Sequence, residues 1–210
     1  MRNIFRTLLL SLFLLPVTAR AQYSVGNLKG EFGVSPLGGA TYTVPIETPP
    51  GPGGSAPQIV LSYNSQGGNG PIGVGFSLSG TSVITRSGRD IHHDGYSLGL
   101  KFDSSDAICL DGTRLVLTNG TMWADGSTYV PENDPFTTVT FLRESLHSEP
   151  YFQVRTPDAT ILTYRYQPLQ TQSGQQAVPV TWHLEHAEDR LGNYTDYSYT
   201  SHQNSVYLSG

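Results

Sequence analysis

The residue types best suited to chemistry gather at Asp90-Ile91-His92-His93-Asp94, two imidazoles and two carboxylates within five positions. Such groups can ligate a transition metal or exchange protons near neutral pH. On an extended strand Asp90, His92 and Asp94 share one face while His93 points away, so these three are the metal-site candidates. No further ligand stands nearby at the HxH or HxxxH spacing of familiar metal sites, and such clusters are usually solvated loops, so the expectation is no metal site, with these three as its weak candidates. No cofactor is indicated. His183, His186 and His202 are scattered along the chain.

Other catalytic patterns are incomplete. Gly67 to Gly75 is glycine-rich but lacks the Lys-Ser/Thr pair of a phosphate-binding loop, and no helix follows it to hold an anion. It reads as a tight corner where backbones approach closely. Ser77 lacks the second glycine of a Gly-x-Ser-x-Gly elbow. Asp111, Asp125, Asp158 and Asp189 mostly sit beside Gly or Pro, where turn-forming aspartates belong. Cys109, the single cysteine, lies between Ile108 and Leu110 and reads as a buried, inert thiol, so no intrachain disulfide is available. Catalytic residues are therefore none, and no enzyme activity is expected.

The elements that would carry these groups are strands. Tyr42, Val44 and Ile46 alternate onto one face of an extended run, as do Ile59, Leu61 and Tyr63. Between them Pro49-Pro50-Gly51-Pro52-Gly53-Gly54 can continue neither a strand nor a helix. Downstream, Ser82 to Thr85, Leu98 to Phe102, Ala107 to Leu110, Arg114 to Leu117, Thr137 to Leu142, Tyr151 to Arg155 and Thr160 to Tyr166 read as strands. Asp111-Gly112, Asn119-Gly120 and Pro157-Asp158-Ala159 are their turns. Tyr129 to Pro135 reads as loop. Val180, Trp182 and Leu184 share one face, with His183 and Glu185 turned toward solvent, and Tyr194 to Thr200 pairs back across Leu191-Gly192-Asn193. The fold class is all-β: antiparallel sheets with many Gly/Pro turns, expected to be an open fragment of a larger β-rich shell.

Several of these segments resemble, in order, the opening of the SpvB family, whose amino-terminal region also begins the B components of insecticidal Tc toxins. The segments are Tyr42-Thr43-Val44-Pro45-Ile46, Leu61-Ser62-Tyr63-Asn64-Ser65, Gly70-Pro71-Ile72-Gly73-Val74-Gly75-Phe76-Ser77-Leu78, Ser82-Val83-Ile84-Thr85-Arg86 and Cys109-Leu110-Asp111-Gly112-Thr113-Arg114-Leu115. Tyr129 with Glu132 follows. Trp182-His183-Leu184, Asp189-Arg190-Leu191-Gly192-Asn193 and Tyr197-Ser198-Tyr199 are similar to the lead-in to YD (Rhs) repeats, although Thr200 stands where such a repeat places Asp. The resemblance implies a non-catalytic module of a secreted toxin-like protein. Its β shell would enclose or present a downstream toxic domain. The implied partners are downstream repeats and toxin cargo of the same or a partner protein, in a Tc-type complex. The ADP-ribosyltransferase of the SpvB toxin lies in a separate carboxy-terminal domain whose arginine, Ser-Thr-Ser and Glu-x-Glu elements are not assembled here.

At the amino terminus, Arg2 and Arg6 precede the apolar run Leu8 to Leu15, which is too short to span a bilayer as a stable helix. Ala19-Arg20-Ala21 then offers small residues for cleavage before Gln22, the pattern of an export signal. Cleavage would remove three of the twelve basic residues and none of the seventeen acidic ones, making the chain more acidic than its formal charge of −5. An acidic chain without a basic stripe argues against nucleic acid as a partner, and no stable membrane insertion is expected after cleavage. The organisation expected is a signal peptide over 1–21, an SpvB-like β domain over 22–166, a polar linker or loop over 167–179, and a hairpin over 180–210 at which a longer polypeptide is cut short. The alternative is an exported β-domain that binds a cell-surface glycan or protein through tyrosine and tryptophan.

Overall fold

The computed structural model describes residues 29–51, 56–70, 72–145, 149–167, 178–202 and 205–209. The signal segment and almost all of the polar linker lie outside these residues. Among the described residues antiparallel strands dominate, and one helical turn, α1 (Ile91–Asp94), interrupts them.

The first strands form a four-stranded sheet. β1 (Glu31–Val34), β2 (Ala40–Ile46) and β3 (Ile59–Asn64) pair in sequence; two-residue arms β4 (Asn69–Gly70) and β5 (Gly73–Val74) make a corner; β6 (Phe76–Ser79) returns beside β3. Register places the expected alternation on one face. Phe32, Tyr42, Tyr63 and Phe76 form one cross-strand row, Val44, Leu61 and Leu78 the next, and Ile46 with Ile59 a third. The opposite face carries Thr43, Ser62 and Ser77 in line. At the corner Gly75 has φ +80, and a Cβ there would lie 2.6 Å from the Asn64 carbonyl oxygen. A Cβ on Gly70 would lie 1.9 Å from that of Phe76. The glycine-rich stretch is a backbone crossing, as its composition predicted.

The second sheet closes on itself. Its staves are β7 (Val83–Ser87), β8 (Ala107–Leu110), β9 (Thr113–Asn119), β10 (Thr128–Pro131), β11 (Thr138–Leu142), β12 (Tyr151–Arg155), β13 (Ile161–Tyr166) and β14 (Thr181–Glu188). Each pairs with the next, and β14 pairs with both β13 and β7, giving an eight-stranded up-and-down barrel. Closure leaves the eight staves no free edge, and open edges among the described residues lie in the four-stranded sheet, at β15 (Tyr194–Asp196) beside β14, and in the terminal hairpin of β16 (Tyr199–His202) and β17 (Ser205–Leu208).

A barrel of eight strands leaves an interior just wide enough for side chains to fill. Ile84, Ile108, Leu115, Tyr129, Val139, Phe141, Phe152, Val154, Tyr164, Trp182 and Leu184 make one buried cluster. Its centre is aromatic: Phe152 meets Phe141 at 5.0 Å and Trp182 at 5.1 Å, both edge to face. Polar tips find partners at the rim, Trp182 Nε1 donating to the Pro150 carbonyl at 3.0 Å and the Tyr164 hydroxyl bonding Ser82 Oγ at 2.8 Å.

Asp111-Gly112 forms the predicted two-residue hairpin loop with φ +48 and +84, and the Asp111 carboxylate accepts from Val83 N and Ser82 Oγ, tying the loop to the neighbouring stave. Four local expectations need correction. Tyr129 to Pro135 begins as strand β10, because a fully buried Tyr129 pairs with Leu117 and Val139. Leu98 to Phe102 contributes only an isolated bridge from Leu98 to Arg89, and Phe102 turns away at φ +59. Tyr194 to Thr200 divides between β15 (Tyr194–Asp196), which pairs with β14, and β16. His183 is half-buried under Tyr199, whose ring lies 4.9 Å away, and that burial lowers the imidazole pKa. Over 180–210 the described residues carry two pairings, β14 with β15 and β16 with β17, and β14 is also a stave of the barrel.

Candidate functional site

The Asp90–Asp94 cluster is a helical turn and not a strand, which changes the residues that meet. Asp90 caps α1, accepting from His93 N at 2.9 Å, and Gly95 ends the turn at φ +75. Residues three and four apart therefore converge. His93, and not His92, joins the carboxylates, with Nδ1 2.7 Å from Asp90 and Nε2 2.6 Å from Glu132 beyond β10. His92 is exposed and touches His93 edge-on. Asp94 lies between Arg89, at 2.5 Å, and Arg114 of β9, at 3.2 Å. Among the described residues no group of three or more His, Cys, Asp or Glu side chains is placed to hold a metal ion. Asp90, His92 and Asp94 therefore do not share a strand face, and the cluster is an ion-pair network that ties the loop before β8 to β9 and β10.

The electrostatics follow the pairing. Hydrogen bonds to Glu132 and then Asp90 raise the His93 pKa. The His93 backbone N–H, followed by its ring, lowers that of Asp90. Burial opposes ionisation of Asp94, but Arg89, the Asp90 N–H and Arg114 outweigh it and hold that carboxyl low. Cys109 is half-buried and its thiol pKa is pushed up by burial, so the thiol is a poor nucleophile at neutral pH.

One mouth of the barrel is plugged by groups that the sequence did not single out. Arg86, an inward-facing residue of β7 in register with the core residue Ile84, pairs with Asp106 at 3.0 Å, the two side chains being 9% and 2% exposed. Its guanidinium lies 3.8 Å over the Trp123 ring, and the Trp123 indole donates to the Asp106 carbonyl at 3.0 Å. Trp123 is held at φ +62 and packs against Phe141, Phe152 and Trp182. These contacts seal the core.

Two surfaces remain. On the outside of the barrel a polar cleft of about 650 Å³ lies between β13 and the Asp196–Tyr199 segment. Glu185, His186, Asp196 and Arg165 line it, every one of them already ion-paired. The other surface is the apolar face of the four-stranded sheet. None of the residues of its four strands is buried; Phe32 is 72% and Val34 67% exposed. An antiparallel sheet with one apolar face ordinarily packs that face on a core. Here Phe32 and Val34 lie open, Val44, Leu61 and Leu78 are half-buried, and Ile59 at the far end shares an apolar pocket of about 290 Å³ with Tyr194, Tyr197 and Leu208.

Residues 34–120 match the family model described as Salmonella virulence plasmid 65kDa B protein, SpvB. No curated protein matches the sequence. Among solved structures the chain is similar to TcdB2-TccC3, with TM-score 0.67 and 19% identity over 86% of this chain and 10% of that one. It is similar to the Photorhabdus luminescens Tc holotoxin pore carrying a mutant TccC3, with TM-score 0.65 and 18% identity over 89% of this chain and 10% of that one. It is also similar to the N-terminal domain of effector protein SpvB from Salmonella typhimurium strain LT2, with TM-score 0.56 and 23% identity over 79% of this chain and 62% of that one. The chain thus spans a tenth of the Tc chains it matches. At these identities the likeness establishes the fold. The matched stretch runs from the end of β1 through β9 and so joins the apolar sheet to the first staves of the barrel. Residues 34–120 are accordingly similar to the SpvB family, in a chain whose β fold resembles that of the SpvB amino-terminal domain and of TcdB2-TccC3.

Proposed function

We propose that this chain is a non-catalytic structural module of a larger, secreted toxin-like protein of the SpvB/Tc type, contributing sheet to a β shell that encloses or presents a toxic domain. Residues 1–21 act as its export signal, and the hairpin after β14 leads toward YD-type repeats. Its partners are further polypeptide of the same assembly and the toxin cargo. The observation that carries the reading is the apolar face of β1, β2, β3 and β6, of which Phe32, Val34, Tyr42, Ile46 and Phe76 are exposed. A sheet patterned for burial on one side with these groups left open fits a shell in which further polypeptide packs against them. The barrel beside it is complete and serves as a rigid mount. The likeness to a tenth of TcdB2-TccC3 supports the same view, since there an equivalent fold occurs within a much longer chain.

The test is solvent access to the face. In a Cys109→Ala background, Val34→Cys should react rapidly with a maleimide on the purified chain. It should be protected in the native secreted polypeptide isolated from culture. Equal, rapid labelling in both would overturn the shell reading. A native species no larger than 22.8 kDa with the face open would do the same.

A further inference from the structure

The four-stranded sheet is nearly free of charge on both of its faces. Between Phe32 and Thr85 the one charged residue is Glu47, which follows the end of β2. On the apolar face such depletion is expected. The opposite face is the unusual one, with Thr43, Ser62 and Ser77 in one cross-strand row and Pro45, Val60 and Ser79 in another. Glu31 stands only at its margin, on the edge strand beside Thr43. A sheet face left to water ordinarily carries Lys, Arg, Glu or Asp among its outward residues. The barrel does so in this same chain, where Arg155, Arg165 and Glu185 stand outside staves whose alternate residues are buried.

The side chains in these rows also suit burial. All are short, so covering them costs far less rotamer entropy than covering Lys or Glu would. Two hydroxyls already turn onto their own sheet, Thr43 Oγ1 donating to the Glu31 carbonyl at 3.3 Å and Ser79 Oγ to that of Val60 at 3.2 Å. Hydroxyls satisfied in this way can leave water without stranding a donor. A charged group brought onto the face would lose its hydration and meet no counter-ion. A surface that fits is therefore uncharged as well. It is also flat, because short side chains on a pleated face offer no deep pocket, and flat faces of this kind pack against other sheets.

We propose that the hydroxyl face of β1, β2, β3 and β6 is an interface, covered in the native polypeptide by a second β layer that is itself uncharged and built of short side chains. The identity of that layer as polypeptide of the same assembly rests on the shell reading. The sheet then has a partner on each face and is an inner layer of the shell wall.

The experiment uses two single-cysteine variants in the Cys109→Ala background, Ser77→Cys on the hydroxyl face and Val34→Cys on the apolar one. Maleimide labelling is compared between the purified chain and the native secreted polypeptide. Ser77→Cys should react rapidly on the purified chain, where Ser77 is exposed, and at least roughly tenfold more slowly in the native polypeptide. Adding Ser62→Lys, which sets a charge directly opposite, should restore rapid labelling there, whereas Ser62→Thr should not. Rapid labelling of Ser77→Cys in the native polypeptide overturns the proposal. Should Val34→Cys be protected in that same polypeptide, the shell reading stands without it. Protection that persists with Ser62→Lys overturns the uncharged layer. Slow labelling already on a purified species heavier than 22.8 kDa makes the covering surface a second copy of this chain and overturns the proposal too.

Discussion

The barrel and the four-stranded sheet share one alternating grammar and reach opposite ends. In the barrel, alternation delivers Ile84, Phe152 and Trp182 to an interior that closure makes dry, and each is at most 1% exposed. In the sheet, alternation delivers Phe32, Tyr42 and Phe76 to a face that stays wet. Strand propensity and register are satisfied in both. The difference is whether the polypeptide returns to cover its own apolar surface, and burial supplies most of the stabilisation available to either. The barrel should therefore hold itself together, whereas the sheet should depend on what packs against it.

This contrast is broken most decisively in the core. Trp182→Ala removes the largest side chain from the aromatic centre and should cost about 3–5 kcal/mol by denaturant titration. A loss below about 1 kcal/mol would mean that the barrel is not the stable unit. Next, Arg86→Met strands the Asp106 carboxylate beneath Trp123 and should cost about 3 kcal/mol. The double variant with Asp106→Asn should recover part of that, as a mutant cycle would measure. In the sheet, Leu61→Ala should cost only roughly 1 kcal/mol, because its side chain is incompletely buried. Phe32→Ser should leave the main transition unmoved while reducing binding of a hydrophobic dye. If the sheet variants lowered the barrel transition as far as Trp182→Ala, the two regions would be one cooperative unit and the contrast would fail.

The smallest effect concerns pH. The His93 pKa is raised in the folded state, so its contribution to stability is fully present below the ordinary histidine value of 6.5 and is lost as pH rises through the folded value. Asp90 behaves oppositely. Its lowered pKa gives stability that is present above 3.8 and lost as pH falls through the folded value. An NMR titration should find the His93 midpoint above 6.5, and His93→Gln should flatten the melting temperature between pH 6 and 8. A His93 midpoint at or below 6.5 would show that the pairing with Glu132 and Asp90 does not persist in solution.

Much of this architecture was legible in the chain. Tyr42, Val44 and Ile46 do share a face, Asp111-Gly112 does turn a two-residue hairpin, and Gly70 and Gly75 do mark a close backbone crossing. The candidate site was legible only as a set of residue types. Asp90, His93 and Asp94 stood out as titratable neighbours, but reading them as a strand selected His92, because a single helical turn carries almost no periodic signal. Arg86 lay just past the expected strand Ser82 to Thr85 and Trp123 outside every expected strand, and nothing near them in sequence announces Asp106 as their partner. The bulge at Glu185, left unpaired where Thr163 meets His186 and Tyr164 meets Leu184, was equally hidden. A bulge is defined by register against Thr163 and Tyr164, and one strand read alone has no register.

The sequence by itself determined the alternation of faces, the turns, the all-β class and the single cysteine, which is half-buried where full burial was expected. Each of these depends on a few consecutive residues and on steric rules that hold in any context. Only the tertiary structure decided that β14 would reach back to β7 and close the barrel, that Arg86 would be buried with Asp106, and that one apolar face would be enclosed and the other left open. Those outcomes rest on pairings between residues distant along the chain, such as Trp182 with Ile84. Their stability comes from hydrogen bonds and buried area that exist only once the whole sheet has formed.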